Sequence, residues 1–276
     1  MISVAIPTLD AGAGFEATLA AVRRQTVEAE LVVLDSSSED GTRALAERYD
    51  AAVHVIGREQ FGHGRSRNRL MELAGGDRVA FLTQDAEPAD ERWLERLLEP
   101  DAALTCGPYR PREGASRSLR REFAQWFAPE PRVYTGADLT DPPMPGPVTF
   151  ASSANLCLSR SAWRDVPFRD VAYAEDQQLA LDLLRAGHTK AWVPDAAVLH
   201  SHDYGVVEQL RRSFDEARAL HDVYGWTTAT SPRAVLGTIR AEVRKDRAFE
   251  PGSTAASLRY HAARATGAAL GARAAW

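Results

Sequence analysis

The first hundred residues alternate between short, continuous apolar runs and amphipathic stretches of helical period. Ile2–Ile6, Glu30–Leu34, Ala52–Ile56 and Arg78–Leu82 read as strands; Phe15–Arg24, Thr42–Tyr49, Arg65–Ala74 and Asp90–Leu98 read as helices. Unbroken apolar runs separated by helices are the pattern of strands buried on both faces, so this chain must build a mostly parallel α/β sheet with helices packed on it. In such sheets ligands bind beyond the carboxyl ends of the strands. That rule singles out Thr8, Asp35 and Asp85, each of which stands just past a predicted strand.

The rest of the chain divides further. Residues 129–147 hold six prolines and cannot form regular helix. Phe150–Leu158 reads as a strand, Glu175–Ala186 as a helix ended by Gly187, and Ala191–Val193 and Ala197–His200 as short strands. From Val206 onward the strand pattern gives way to three helices, Val206–Tyr224, Arg233–Phe249 and Ala255–Arg273, separated by Gly225, Pro232 and Pro251–Gly252. The expected organisation is a catalytic α/β domain over 1–205 and a helical extension over 206–276.

Charge follows the same division. The formal net charge of −5 combines a tail of +5 over residues 226–276 with −10 over residues 1–225. An acidic main body argues against a nucleic-acid binder. The basic helices of the tail admit three readings: peripheral contact with an anionic membrane surface, a homodimer contact, or a helical cap over the sheet. Two cysteines without CxxC spacing indicate a reduced, cytoplasmic protein. The sequence enters its first strand with no leader pattern, and no apolar run reaches the 18 or so residues that span a bilayer.

Gly12-Ala13-Gly14-Phe15-Glu16-Ala17 fits the dinucleotide fingerprint, with Asp35 at the expected distance. The fit is poor physically, because several residues including Pro7 separate the strand from Gly12, and the turn cannot aim the helix directly at a pyrophosphate. A nucleotide-sugar site accounts for more. The Pro7–Thr8 backbone can hold base and ribose, and Asp35 can accept a hydrogen bond from a base N–H. Asp35 before Ser36–Ser38 is also an ordinary helix-capping pattern. Asp85, in Thr83-Gln84-Asp85-Ala86, can hold a divalent cation against a diphosphate leaving group. The segment Phe61–Asn68 offers glycine backbone, Arg65, Arg67 and a helix start, all suited to phosphate. Glu175–Asp176 is an acidic first helical turn, favoured by the helix dipole in any case.

The segments VAIPTLDAG, LVVLDSSSEDGT, FGHGRSRNRLMELAGGD, VAFLTQDAEP, FASSANLCLSR, YAEDQQLALDLLRAGH and VLHSHDY, in this order over residues 1 to about 205, resemble the inverting nucleotide-sugar glycosyltransferases of family 2, with the GT-A fold, and within them the rhamnosyltransferase-like branch. The resemblance implies that Asp176 is the catalytic base. Donor contacts would fall at Pro7, Thr8, Asp35, Arg65, Arg67, Asn68, Gln84 and Asp85, and acceptor contacts at Tyr109, Ser153 and Glu175. The metal, Mg²⁺ or Mn²⁺, would meet Asp85 and His200 or His202. Thr83 replaces the first acid of the family's D-x-D element, so the protein supplies one carboxylate fewer. The expected activity is transfer of a sugar, with dTDP-L-rhamnose the leading donor, to a glycan or lipid-linked acceptor of the cell envelope, in the cytoplasm or at the inner face of the membrane. A UDP- or GDP-sugar donor, a dinucleotide-dependent oxidoreductase and a silent glycan-binding domain are the alternatives.

Overall fold

The computed structural model describes residues 1–274, which fall into two compact units. The first comprises residues 1–110, 128–139 and 146–200, and the second comprises 111–127, 140–145 and 201 onward.

Unit one is built on an eight-stranded sheet in the order β3-β2-β1-β4-β9-β6-β10-β8. Its strands are β1 (Ile2–Thr8), β2 (Glu30–Asp35), β3 (Ala52–Val55), β4 (Arg78–Phe81), β6 (Leu104–Cys106), β8 (Arg132–Tyr134), β9 (Leu156–Ser159) and β10 (Lys190–Trp192). The β3/β2, β2/β1, β1/β4 and β6/β10 pairs are parallel, while β9 runs antiparallel to both β4 and β6, and β8 to β10. A small second sheet sets β11 (Val198–Leu199) between β5 (Glu87–Pro88) and β7 (Tyr109–Arg110). Helices α1 (Phe15–Arg23), α2 (Thr42–Arg48), α3 (His63–Leu73), α4 (Trp93–Leu98), α6 (Arg160–Asp165) and α7 (Glu175–Arg185) complete the unit. Phe15, Leu19, Ile6, Val33, Leu82 and Trp93 form a continuous, fully buried core. The expected alternation is therefore present, and the sheet is mostly parallel on its N-terminal side.

Two departures from the sequence pattern have local causes. The expected strand over Phe150–Leu158 is regular only from Leu156, because the preceding residues turn: Asn155 N–H donates to Ser152 O at 2.9 Å and Phe150 N–H to Gly146 O at 2.8 Å. Asn155 is buried there, accepting from Trp93 Nε1 at 2.8 Å and donating to Pro108 O and Ala196 O at 3.0 and 2.8 Å. The proline-rich stretch is helix-free as expected but contains β8, whose Tyr134 ring lies 4.6 Å from the fully buried Lys190 ammonium. That ammonium donates to Pro147 O at 2.7 Å and Val148 O at 3.1 Å, so the loop itself satisfies the buried charge.

Unit two contains α5 (Arg117–Trp126) and the long helices α8 (Val206–Tyr224), α9 (Pro232–Phe249) and α10 (Thr254–Ala274). Helix α5 lies well before residue 206 in sequence yet packs with the C-terminal helices. The reason is electrostatic. Asp246 of α9, fully buried, accepts from Arg121 Nε at 2.6 Å and from the Ser118 hydroxyl, both on α5, and lies 2.9 Å from His261 Nε2 of α10. Arg121 also donates to Glu242 at 2.6 Å. Burial pushes the Asp246 carboxyl up, but the hydrogen bonds from Ser118, Arg121, Ser257 and His261 outweigh it and bring it down to about 2.

A carboxyl depressed in the folded state stabilises it above its unfolded pKa and ceases to do so as pH falls through the folded one. Stability of unit two is therefore expected to fall between about pH 4 and pH 2. Asp246→Asn is expected to cost about 3 kcal/mol at neutral pH, since it removes the fully buried carboxylate that Arg121, Ser118 and His261 share and leaves Arg121 only Glu242 as a charged partner. Urea denaturation of both chains across that pH range checks this.

Candidate functional site

Parallel register puts several of the expected residues on one edge of the sheet. Thr8 and Asp35 are paired partners at the ends of β1 and β2. Asp85 follows the end of β4. Because β9 is antiparallel, with Leu156 opposite Phe81, the loop that precedes it, with Ser153, lies at that same edge.

Asp35 is fully buried. It accepts from Thr8 Oγ1 at 2.9 Å and from Ser38 N–H and Oγ at 2.8 and 2.5 Å, and Arg43 Nε is 3.9 Å away. Asp35 thus caps the turn that leads into α2 and ties the ends of β1 and β2. Pro7 lies opposite Leu34 in the β1/β2 ladder. Gln84 clamps the loop after β1 with both ends of its amide, accepting from Leu9 N–H at 2.9 Å and donating to Leu9 O at 3.2 Å.

The small sheet brings together residues more than a hundred positions apart. β11 pairs antiparallel with β5, Leu199 opposite Glu87, so His200 emerges beside the Thr83–Ala86 turn. His200 Nε2 stands 3.5 Å from Asp85 Oδ1, and its ring packs edge-on against Tyr109 with centroids 5.0 Å apart. Its backbone N–H donates to Arg110 O at 3.1 Å. Two residues further on, His202 offers a third side chain of metal-ligating type. One carboxylate and imidazole nitrogens form a chemically reasonable donor set for a divalent cation, and nitrogen donors fit Mn²⁺ better than the all-oxygen preference of Mg²⁺. Thr83, at the place of the missing acid, has a buried Oγ1 with no hydrogen-bond partner among the described residues.

A second cluster surrounds α7. Ala174, its N-cap, has φ +59° and ψ +30°, a left-handed conformation that costs a non-glycine residue about 1–2 kcal/mol. This kink sets the start of α7 so that Asp176 faces the loop before β9. Its carboxylate accepts from Ser153 N–H at 2.8 Å and from Gln177 N–H at 2.8 Å. Burial, seconded by the negative charge of Glu175, pushes the Asp176 carboxyl up to about 7 against the opposing effect of those N–H groups and of Arg67. Glu175 is buried, accepts from Ser153 Oγ at 3.2 Å and pairs with Arg67 at 3.1 Å, both charges being nearly inaccessible. Tyr109 is likewise held protonated by burial, its pKa raised far above that of an ordinary phenol.

The helix that opens FGHGRSRN is used differently from its sequence reading. Arg67 donates to His63 O at 2.8 Å and serves Glu175. The Asn68 amide is engaged by Phe168 O, Phe168 N–H and Trp163 Nε1 at 2.8 to 3.0 Å. Arg65 is exposed and 3.4 Å from Asp170. Gly64 is required by packing, since a Cβ there would sit 1.9 Å from Arg169 O. Sequence reading passed over His63, whose pKa burial lowers while Glu175 opposes, and Asn155; nothing in their neighbours' spacing marks either one.

Comparison with known proteins identifies the family and the fold. The model of glycosyl transferase family 2 matches residues 3–149. The chain is 30% identical over 220 residues to the O-antigen chain rhamnosyltransferase WbaN of Salmonella anatum, which covers 76% of this chain and 69% of that protein. It is 29% identical over 223 residues to the O-antigen chain rhamnosyltransferase RfbN of Salmonella typhimurium, covering 78% and 70%. Among solved structures, the mannosyltransferase PcManGT from Pyrobaculum calidifontis, in complex with GDP-Man and Mn²⁺, superposes with a TM-score of 0.63 at 18% identity, covering 99% of this chain and 85% of that one. S. aureus TarS 1-349 gives 0.59 at 18%, covering 80% of this chain, which spans just under two thirds (64%) of the TarS chain. At these identities the structural likeness speaks for the fold.

The buried Arg67–Glu175 pair ties α3 to α7. Arg67→Met is expected to destabilise the fold by about 3–5 kcal/mol, because it leaves Glu175 charged, buried and unpaired beside Asp176. The double change Arg67→Met with Glu175→Leu should recover most of that loss, and a double-mutant cycle in urea checks both.

Proposed function

This chain belongs to glycosyl transferase family 2 and is a glycosyltransferase of GT-A type, and from that premise we propose that it is a metal-dependent inverting transferase using dTDP-L-rhamnose. The observation that carries the reading is the meeting, at one sheet edge, of Asp35, the Asp85–His200 pair and an Asp176 carboxyl poised near neutrality. The names of the two Salmonella relatives support rhamnose as the sugar.

Asp35 and Thr8 receive the nucleoside, with the Pro7 backbone and the Gln84-clamped loop shaping the base and ribose contact. Exposed Arg65 frames the diphosphate side, while Arg67 and Asn68 act at one remove, holding Glu175 and the Phe168 backbone. Asp85 and His200, with His202 as a further ligand, would hold a divalent cation, Mn²⁺ before Mg²⁺. When bound, such an ion neutralises charge developing on the leaving diphosphate. Asp176 takes the proton from the acceptor hydroxyl as that oxygen attacks the anomeric carbon. Ser153 N–H orients the carboxylate, Glu175 raises its basicity, and Tyr109 contributes to the acceptor side. Residues 1–205 form the catalytic domain in this reading, with the helices from 206 onward as an extension. The acceptor is a glycan or lipid-linked precursor of the cell envelope, which places the enzyme in the cytoplasm at the membrane's inner face. No helix among the described residues is long and apolar enough to cross a membrane.

Four outcomes are expected. In a screen of dTDP-, UDP- and GDP-sugars with Mn²⁺, dTDP-rhamnose should give turnover; turnover with a UDP- or GDP-sugar alone would replace the donor assignment. Asp176→Asn should lower kcat by about 10²- to 10⁴-fold while leaving donor affinity, read by calorimetry, unchanged. Because the base must be ionised, kcat should fall about tenfold per pH unit below pH 7 and level off above it. Asp85→Asn or His200→Ala should weaken Mn²⁺ binding at least tenfold, read by calorimetry in the absence of any donor.

A further inference from the structure

Helix α9 presents a basic face that nothing in its own unit uses. Arg233, Arg240, Arg244 and Arg247 are all exposed. At 100° per residue they fall within an arc of about 60° and extend over roughly 21 Å of helix. None of the four has an ion-pair or hydrogen-bond partner among the described residues. By contrast, Arg117, Arg120, Arg121 and Arg264 of the same unit are all tied to acids, carbonyls or hydroxyls. Gly237 and Ala248 flank the arc and add no bulk. The two acids of α9, Glu242 and Asp246, lie on the opposite side, engaged by Arg121.

The apolar residues on one side of α9 are buried to different degrees. Ile239 is buried against the unit, Val243 is half-buried, and Leu236, 45% exposed, lies at the rim of the arginine arc. The inward face is thus committed to packing, and the arginine arc is left outward.

We infer that the Arg233–Arg240–Arg244–Arg247 face of α9 is a docking surface for an anionic lipid bilayer. Guanidinium groups form paired hydrogen bonds with phosphate oxygens, which lipid headgroups present in a plane. A straight row of four on one helix face meets a plane all at once. A nucleic acid fits less well, because it would extend over a chain whose residues 1–225 carry a net −10. Binding of this kind is superficial and electrostatic. The helix stays packed on its unit, Leu236 alone reaches toward the acyl boundary, and salt screens the attraction. This surface rests on the membrane-side position proposed above, but its test reads binding and needs no turnover.

The full chain is centrifuged with vesicles of phosphatidylcholine alone and with vesicles that also contain phosphatidylglycerol, at low and high salt. Binding is expected only to the phosphatidylglycerol vesicles, and it should be lost at high salt. Each arginine near an anionic leaflet strengthens binding about fivefold, so Arg240→Gln with Arg244→Gln should weaken it about 25-fold. Arg164→Gln with Arg185→Gln, the same charge loss at exposed positions of unit one, should leave it unchanged. The inference is overturned by no binding to anionic vesicles, by equal binding to neutral ones, or by equal weakening in both double variants. Capture of RNA or DNA with no vesicle binding also overturns it. The unmodified chain compared across lipids and salt decides the matter even if a variant fails to fold. Loss of transferase activity with vesicle binding retained would count against the donor assignment and leave this surface standing.

Discussion

The site depends on one reversed strand. β9 enters the sheet antiparallel between β4 and β6, joining the parallel block β3-β2-β1-β4 to the parallel pair β6-β10. A parallel strand in that place would deliver its carboxyl end to the binding edge. An antiparallel one delivers the residues that precede it, so the 151–155 turn stands where β1, β2 and β4 end. Ser153 can then hold Asp176, and Asn155 can join Trp93 to two carbonyls behind it. Gly107 is part of the same fit: its Cα approaches so near that a Cβ would lie 2.0 Å from Ala196 O.

Charge at this edge is arranged in graded layers. The buried Arg67–Glu175 pair is structural. Burial first, and the negative charge of Glu175 second, push the Asp176 carboxyl up to about 7, while Asp85, 41% exposed, keeps its carboxylate in contact with solvent. Two carboxylates in unlike surroundings can perform unlike tasks, one exchanging a proton and the other holding a cation. The buried Asp246 of the second unit shows the opposite balance, with hydrogen-bond donors outweighing burial, and it serves structure.

Much of this was legible from residue order. Apolar runs of strand length identified β1 to β4, and turn residues bounded them, because a strand buried on both faces leaves little freedom in composition. Asp35 and Asp85 stood out because an acid just past a strand end is chemically conspicuous; Asp176 stood out only through the family resemblance of its segment. The strands β6 and β7 and helix α5 were not read. β6 and β7 are too short for a period to register, and α5 is held by Arg121 reaching Asp246, 125 residues away. Arg67 and Asn68 were legible as a basic helix start, but their partners Glu175 and Phe168 come from a distant segment, so structure gave them buried contacts that sequence spacing could not foresee.

By itself, then, the sequence determined the alternating architecture and the chemical kinds of residue offered at the strand ends, since hydrophobic period and side-chain chemistry are local properties. Tertiary structure decided which of them meet. The pairing of β11 with β5 set His200 against Asp85, and the reversal of β9 set Ser153 against Asp176. It also decided which face of α9 would be spent on packing and which left as bare arginine. Hydrogen-bond register and burial fix such meetings, and both depend on chain segments that a local pattern does not contain.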